Sequence, residues 1–320
     1  MKSTFKTRIA PTPSGLLHAG NGASFLLTYA LAKAFDGKIL LRIDDLDADR
    51  MRLEYVEDIF KTLDWLGIEW DEGPTSVADF QQNWSQHHRL DLYQNALEKL
   101  RNTVGSDNPD SFGNRVLYAC SCSRKQIKEA SQNGLYPQTC RFKNINLDEK
   151  EVAWRMHIPD GTTVFFNNFD VNERKSKAYP SVISRETGDF IVRQKNGLPA
   201  YQIASVVDDG HFGVNFIVRG ADLLPSTGVQ IFIAEHLKGT DFKETLFLHH
   251  DLLNDSEGGK LSKSKGATAL AEWQSSRKIP ESLIKQAANW LDLPNIGNMN
   301  ELIAACKSLQ IPLSIFVEKD

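Results

Sequence analysis

No run of about 18 apolar residues occurs anywhere in the 320 residues, so no membrane-spanning helix is expected. Cysteine is scarce. Four in a chain of this length do not make a disulfide framework, and a chain this long can bury sizeable cores without staples. The opening residues, MKSTFKTRIAPTPSG, carry no apolar core of a secretory signal, which makes the cytoplasm the expected location. A large net charge is missing too: the formal value is -4, so composition alone does not point to a nucleic-acid partner. Internal repeats and low-complexity tracts are absent. What remains is an ordinary globular composition, 41% hydrophobic and 24% charged, at a length that suggests roughly two domains.

The charge is unevenly spread. Residues 36–79 hold 13 Asp/Glu against 5 Lys/Arg, a local net of -8. Residues 115–150 hold 7 Lys/Arg against 3 Asp/Glu, a local net of +4, and a polyanion would prefer that stretch. Clustering on a solvated surface accounts for both blocks equally well. Three of the four cysteines, Cys120, Cys122 and Cys140, fall in the basic stretch; Cys306 sits in an apolar helical pattern (LIAACKSL) and reads as core.

Residues 5–10 read as a strand entering a Pro/Gly turn, followed by an apolar helix from Ala23 to Phe35. Asp36-Gly37 breaks it, and Lys38–Ile43 is a continuous apolar run of the buried-strand type. That order predicts a βαβ unit and a parallel sheet. An amphipathic helix follows over 50–66, closed by Gly67. Short alternating strands occur between 150 and 200, notably Thr163–Phe166 and Phe190–Arg193. The βαβ order then returns with Tyr201–Val207, Phe216–Val218 and a helix over Thr227–Leu237, which puts Asp208-Asp209 at a strand end. The reading is therefore an α/β sheet in two halves, 1–100 and 191–265, split by an insertion over 101–190 and followed by a helical C-terminal segment, 266–320.

Two motifs carry chemistry. The first, Pro11-Thr12-Pro13-Ser14-Gly15-Leu16-Leu17-His18-Ala19-Gly20-Asn21, lies between the first strand and helix. Its glycines permit close backbone approach, the helix start offers N–H groups to an anion, and His18 stands where it could donate to a phosphate. Taken alone, a turn capping a helix with an incidental histidine is the simpler account. The second is Lys260-Leu261-Ser262-Lys263-Ser264, flanked by glycines, which suits a cationic clamp for phosphates. Alone, an exposed basic loop explains it more simply.

Together, in this order and at opposite ends of one sheet, the two resemble the class I aminoacyl-tRNA synthetases. His18-Ala19-Gly20-Asn21 stands at their HIGH signature and KLSKS at their KMSKS signature. The segments Arg8–Gly15, Leu41–Asp47, Tyr201–Asp209 and Val218–Leu224 are similar to the glutamyl/glutaminyl type. The resemblance implies a Rossmann-like catalytic domain that activates an amino acid with ATP and Mg2+. His18 and Lys263 would be catalytic. Pro11, Ser14, Gly15, His18, Gly20, Asn21, Lys260, Ser262 and Lys263 would bind ATP. Arg8 and Arg219 would hold glutamate carboxylates, Asp44 would face the ammonium, and Tyr201, Ala10 and Thr12 would complete that site. Asp44 departs from the family's usual Glu, and one methylene less makes a water-mediated contact the expectation.

Cys120, Cys122 and Cys140 supply three thiols where zinc wants four ligands, and three unmetallated buried cysteines remain an alternative. The run Tyr-Ala-Cys-Ser-Cys-Ser-Arg with Gly-Leu-Tyr-Pro-Gln-Thr-Cys-Arg resembles the zinc segment of the glutamyl-Q tRNA(Asp) synthetases. By that resemblance Tyr136 is the fourth ligand of one structural Zn2+. Only 55 residues follow Lys265, fewer than an anticodon-binding region needs, which again resembles this family. Its implied partners are L-glutamate, ATP and the anticodon stem-loop of tRNA(Asp), whose queuosine takes the glutamate; a monomer is expected, without a membrane. The alternatives are a minimal glutamyl-tRNA synthetase charging a 3′ end and a catalytically silent tRNA-binding paralogue.

Overall fold

The computed structural model describes residues 5–47, 49–103, 115–131, 134–253, 270–274 and 279–312. The first half runs β1 (Lys6–Ile9), α1 (Ala19–Ala34), β2 (Lys38–Leu41), α2 (Leu53–Trp65), the short α3 (Val77–Asp79) and α4 (Leu90–Arg101). The middle holds β3 (Leu117–Cys120), α5 (Arg124–Ala130), β4 (Ala153–Met156), β5 (Val164–Asp170), β6 (Lys175–Ser181), α6 (Ile183–Glu186) and β7 (Phe190–Arg193). Then come α7 (Tyr201–His211), β8 (Phe216–Gly220), α8 (Leu224–His236), β9 (Leu246–His250), α9 (Glu281–Asn289) and α10 (Met299–Cys306).

β1 and β2 pair in parallel, as do β8 and β9. The two pairs are stitched side by side: Asn215 N–H donates to the Lys6 carbonyl at 3.0 Å, and Lys6 N–H to the Asn215 side chain at 2.9 Å. The predicted parallel pairings are therefore present, in a two-stranded sheet lying beside a mixed four-stranded one. α1 is apolar on nearly every side because it is buried on nearly every side, with Leu26, Leu27, Ala30 and Leu31 wholly covered. It stops at Asp36-Gly37, where only glycine fits: a Cβ on Gly37 would sit 1.8 Å from the Phe5 ring. α9 and α10 cover α1 from the C-terminal segment, and Cys306 is fully buried there, its thiol pushed up to about 12 by burial.

Two expectations change. Tyr201–Val207 is not a strand but the start of α7, so Asp208 and Asp209 lie in a helix. A short apolar run does not distinguish a buried helix from a buried strand, and here Ile203, Ala204 and Val206 are buried on a helical face. The hairpin β5–β6, within the stretch expected to be inserted, joins the parallel sheet instead: β5 pairs in parallel with β9 through Asn167 and Asn168. Strand pairing across some 80 residues leaves no local trace. The other strands of that stretch, β3, β4 and β7, form a separate antiparallel sheet.

That smaller sheet is organised around Asp189. Its carboxylate accepts from Tyr118 Oη at 2.6 Å, from Arg141 Nε and Nη2 at 3.1 and 2.9 Å, and from Ile158 N–H at 2.8 Å. Its carbonyl accepts from Arg155 Nη1 at 3.0 Å. Burial alone would raise the Asp189 carboxyl; contacts with His157, Arg141, Tyr118 and Ile158 N–H reverse this and hold it down to about 2, against an ordinary 3.8. A carboxyl lowered on folding stabilises the fold above its unfolded value and loses that contribution as the pH falls through the folded one. The difference corresponds to about 2 kcal/mol. Asp189→Asn is expected to lower stability at pH 7 by at least that much in urea denaturation. The gap from the parent protein should shrink between pH 4 and 2; a gap independent of pH there would contradict this account.

Candidate active site

Residues 11–18 connect β1 to α1, and His18 is the N-cap of the helix. Its Nδ1 accepts from Gly20 N–H at 3.1 Å, while Asn21 Oδ1 accepts from His18 N–H at 3.1 Å, a capping box built with an imidazole. Since Nδ1 is the acceptor, the ring proton lies on Nε2, a donor. Gly20 leaves room for this close cap: a Cβ there would lie 3.0 Å from the His18 ring, which would have to give by a few tenths of an ångström. The loop is held on both sides of Leu17, whose N–H donates to Asp58 Oδ2 and whose carbonyl accepts from Leu270 N–H, both at 2.9 Å. The helix start thus presents N–H groups and the positive end of a dipole beside a histidine donor.

Three buried guanidiniums converge from the ends of parallel strands. Arg42, just past β2, makes a two-pronged contact with Asp44, Nε to Oδ1 at 2.6 Å and Nη2 to Oδ2 at 3.1 Å. Its Nη1 donates to Asp209 Oδ1 of α7 at 2.7 Å. Asp208, next along α7, is held by Arg89 at 3.0 and 3.2 Å, Tyr93 at 2.8 Å and Gln86 at 2.9 Å. Burial disfavours the charge on Arg42, yet the carboxylates of Asp209, Asp44 and Asp208 outweigh it and raise its pKa well above the ordinary value. Arg8 of β1 lies 3.5 Å from Asp209 and donates Nη1 to the Val218 carbonyl at 3.3 Å, but its buried Nε has no hydrogen-bond partner among the described residues.

Arg219 of β8 differs. Among the described residues it has no carboxylate within ion-pair distance. Nη1 donates to Gln230 Oε1 at 2.9 Å, Nη2 to Thr227 Oγ1 at 2.5 Å, and Nε to His249 Nε2 at 3.4 Å. Tyr201 Oη also lies against it. His249 Nδ1 faces Asn168 Oδ1 at 2.7 Å, which assigns the ring proton to Nδ1 and leaves Nε2 an acceptor for Arg219. Burial, then the Arg219 charge, push His249 down to about 2, so it is neutral. Burial also lowers Arg219, to about 10. It stays charged at neutral pH, with neutral hydrogen-bond partners and the Arg8 and Asp209 charges farther off. A buried cation in that setting favours an incoming anion.

The helix start and the three guanidiniums, with Asp44 and Tyr201, border one cleft of about 530 Å3. Of the residues expected from sequence, Pro11, Ser14, His18, Gly20 and Asn21 line it on the helix side. Arg8, Ala10, Thr12, Asp44, Tyr201 and Arg219 line it on the strand side. Gly15 is not in the wall; Lys260, Ser262 and Lys263 lie outside the described residues. Sequence reasoning missed Arg42, although it stands within the quoted Leu41–Asp47 segment, and it missed Thr227 and Gln230 on α8. Adjacent histidines without partner ligands at useful spacing, as at His249-His250, read in sequence as polar surface or cap residues; both are instead at the end of β9, the first against Arg219 and the second in the cleft wall. An apolar strand ending in adjacent histidines was the available signal.

A second constellation lies apart from this cleft. The Sγ atoms of Cys120, Cys122 and Cys140 all lie within 4.8 Å of one another. Tyr136 Oη is 3.2 Å from Cys120 Sγ and 4.0 Å from Cys122 Sγ, and it accepts from Cys140 N–H at 3.0 Å. Four ligands around zinc at ordinary bond lengths stand roughly 3.5–3.8 Å apart, so this donor set fits the ion. Burial pushes the Cys122 thiol up to about 11. For Cys140 burial is overcome by Ser121 N–H and by hydrogen bonds from Tyr136 and the other thiols, which bring it to about 7. The Arg155 guanidinium stacks 3.6 Å over the Tyr136 ring and ties the cluster to Asp189.

Residues 4–289 match the family model of tRNA synthetases class I (E and Q), catalytic domain. A glutamyl-Q tRNA(Asp) synthetase of Cupriavidus metallidurans is 38% identical over 279 residues, 84% of this chain and 80% of that protein. A glutamate-tRNA ligase of Symbiobacterium thermophilum is 31% identical over 294 residues, 88% of this chain but 57% of that protein. The fold is shared with a crystal structure of glutamate-tRNA synthetase from Elizabethkingia anophelis: TM-score 0.73, 22% identity, 95% of this chain and 66% of that one. No helix among the described residues is long and apolar enough to cross a membrane.

The different surroundings of the two arginines predict different costs of removal. Arg42→Met strands buried carboxylates and is expected to lose about 3–5 kcal/mol of stability. Arg219→Met removes a cation with no acidic partner and should cost far less. Urea midpoints that fall equally in the two variants would contradict the charge distribution described above.

Proposed function

The chain belongs to the class I tRNA synthetases of the glutamyl/glutaminyl type, ATP-dependent ligases, and from that premise we propose that it activates L-glutamate and transfers it to queuosine in the anticodon of tRNA(Asp). The observation that carries the amino-acid half is Arg219, a buried guanidinium with only neutral partners, sharing a cleft with the His18 helix start. The side-chain carboxylate of glutamate supplies the missing anion at Arg219. Arg8 and Tyr201 flank it, with Ala10 and Thr12 in the same wall, and Asp44 offers its remaining lone pairs to the ammonium.

The α-carboxylate, directed at the His18 end, attacks the α-phosphorus of ATP in line; pyrophosphate leaves and glutamyl-adenylate forms. Mg2+ enters with ATP. His18 Nε2–H, the backbone around Ser14 and Gly20, and the lysines of the KLSKS loop (Lys260, Lys263) with Ser262 stabilise the phosphate charge. A hydroxyl of the queuosine ring then attacks the mixed anhydride and AMP leaves. No side-chain nucleophile takes part; position and electrostatics supply the catalysis. The acceptor assignment is supported by relatives named for it, most of whose length this chain matches. Cys120, Cys122, Cys140 and Tyr136 would hold one Zn2+, which braces the basic segment toward the tRNA.

Glutamate-dependent ATP–pyrophosphate exchange is expected; no exchange with glutamate, with or without tRNA, overturns the enzymatic reading and favours a silent tRNA-binding protein. Labelled glutamate should appear on tRNA(Asp) only when queuosine is present. Label at the 3′ end of tRNA(Glu) would falsify the acceptor assignment and favour a minimal glutamyl-tRNA synthetase. Metal analysis should find about one zinc per chain, falling in Cys140→Ser; a value far below one in the parent protein counts against the fourfold ligand set.

A further inference from the structure

Three neighbouring strands carry a line of polar side chains that ends at Arg219. Arg219 of β8 stands opposite His249 of β9 in the parallel register, and β9 pairs on its other side with β5 through Asn167 and Asn168. Asn168 thus meets His249 from the β5–β6 hairpin, 81 residues back along the chain. Its amide is oriented: Nδ2 donates to the Phe169 carbonyl at 3.4 Å, so Oδ1 is the atom facing the imidazole, and it can only accept.

His249 Nδ1 must then donate, and Nε2 must accept. Nε2 takes the Thr227 hydroxyl at 2.8 Å, closer than that hydroxyl's alternative, the Leu223 carbonyl at 3.1 Å. With its proton directed to the ring, Thr227 Oγ1 turns its lone pairs to Arg219 Nη2 at 2.5 Å. The order runs from Arg219 to Thr227 to His249 to Asn168, every donor pointing away from the cation. Aligned hydrogen bonds polarise one another, so each acceptor is stronger than it would be alone. A proton on Nε2 would instead turn a donor toward Arg219 Nε, 3.4 Å away, and break the order.

The line contains no formal negative charge. Among the described residues, the ionisable groups that act on His249 are Arg219, His250 and Arg8, none of them acidic. A carboxylate at any link would hold the guanidinium as firmly but would neutralise it, as Asp44 and Asp209 do for Arg42. Neutral links fix Arg219 and leave its charge facing the cleft.

We propose that Asn168 and His249 are positioning residues for Arg219, the amide setting the ring tautomer and the ring ordering the hydrogen bonds that aim the guanidinium into the cleft. This rests on the reading that Arg219 receives the side-chain carboxylate of glutamate. The amino-acid site is thereby completed from β5, outside the segments whose motifs mark it.

Two measurements on the full chain test it. In glutamate-dependent ATP–pyrophosphate exchange, Asn168→Leu and His249→Leu should each raise KM for glutamate about tenfold, the size of a lost hydrogen bond to a charged group. KM for ATP should stay within about twofold of the parent, and His249→Gln, which keeps an acceptor near Nε2, should restore most of the glutamate affinity. Because the two residues act in series, the double variant should be no worse than His249→Leu alone. A loss of about a hundredfold in the double variant, or an ATP KM that rises in step with that of glutamate, marks independent packing defects and overturns the proposal. NMR of protein labelled with ring-15N histidine reads the line without substrate. The His249 signal, identified by its absence in His249→Gln, should carry its proton on Nδ1 in the parent and move it at least partly to Nε2 in Asn168→Leu. A ring protonated on Nε2 in the parent, or unaltered in the variant, overturns the proposal however the exchange behaves. If the parent shows no exchange with glutamate while the tautomer depends on Asn168, only the glutamate reading fails.

Discussion

The arrangement of the cleft depends on one buried guanidinium, Arg42. It stands just past a central strand and gathers Asp44 from its own loop and Asp209 from α7, while Asp208 beside it is held by Arg89, Gln86 and Tyr93. The strand end, the helix and the 86–93 segment are locked together by charge. Such a network is costly to desolvate, and it persists because each member is met by an opposite charge or a hydrogen bond. Its consequence for chemistry is a division of labour among the cations. Arg42 occupies the carboxylates, so Arg219 keeps a shell of Thr227, Gln230 and neutral His249 and retains its appetite for an anion.

The helix side of the cleft works by different physics. There the attraction comes from the unpaired start of α1 and is aimed by an N-cap that is itself a histidine. Anchoring of Leu17 by Asp58 and by Leu270 means that the loop's position is set from α2 and from the chain beyond the KLSKS motif. On the proposed function, a carboxylate site at Arg219 and a phosphate site at the start of α1 share one cleft, as attack of a carboxylate on ATP requires. The cysteine cluster belongs to a separate structural problem. It secures a small antiparallel sheet whose own hub, Asp189, reaches it through Arg155 stacked on Tyr136.

Much of this was legible in the residues. The Pro-Thr-Pro-Ser-Gly turn, the break at Asp36-Gly37, the parallel order of β1, β2 and β8, and the grouping of Cys120, Cys122 and Cys140 follow from local pattern or spacing; Tyr136 was added by the family resemblance. Most of the expected site residues in the described part of the chain share the cleft. What was not legible has a common character. Arg42 looked like the end of a strand, since nothing near it announces that Asp209, 167 residues away, accepts its hydrogen bond. His250 looked like a cap until α9 laid Trp290 on it. Tyr201–Val207 passed for a strand because burial on one face produces the same short apolar run in either conformation.

Neighbouring residues alone set the local devices: where the chain turns, which helix starts present N–H groups, which segments are apolar enough to be buried, and which residue types are on hand for phosphate, carboxylate and metal. These depend on neighbours a few residues apart, and backbone sterics and hydrophobic periodicity decide them there. Which charges cancel and which remain available is settled by the folded arrangement. Arg8, Arg42 and Arg219 are alike as letters; their roles separate once folding places carboxylates beside the second and neutral groups around the third. Pairing of that kind is set by distances between parts of the chain far apart in sequence, inside a medium where an unpaired charge is expensive, and no local pattern encodes it.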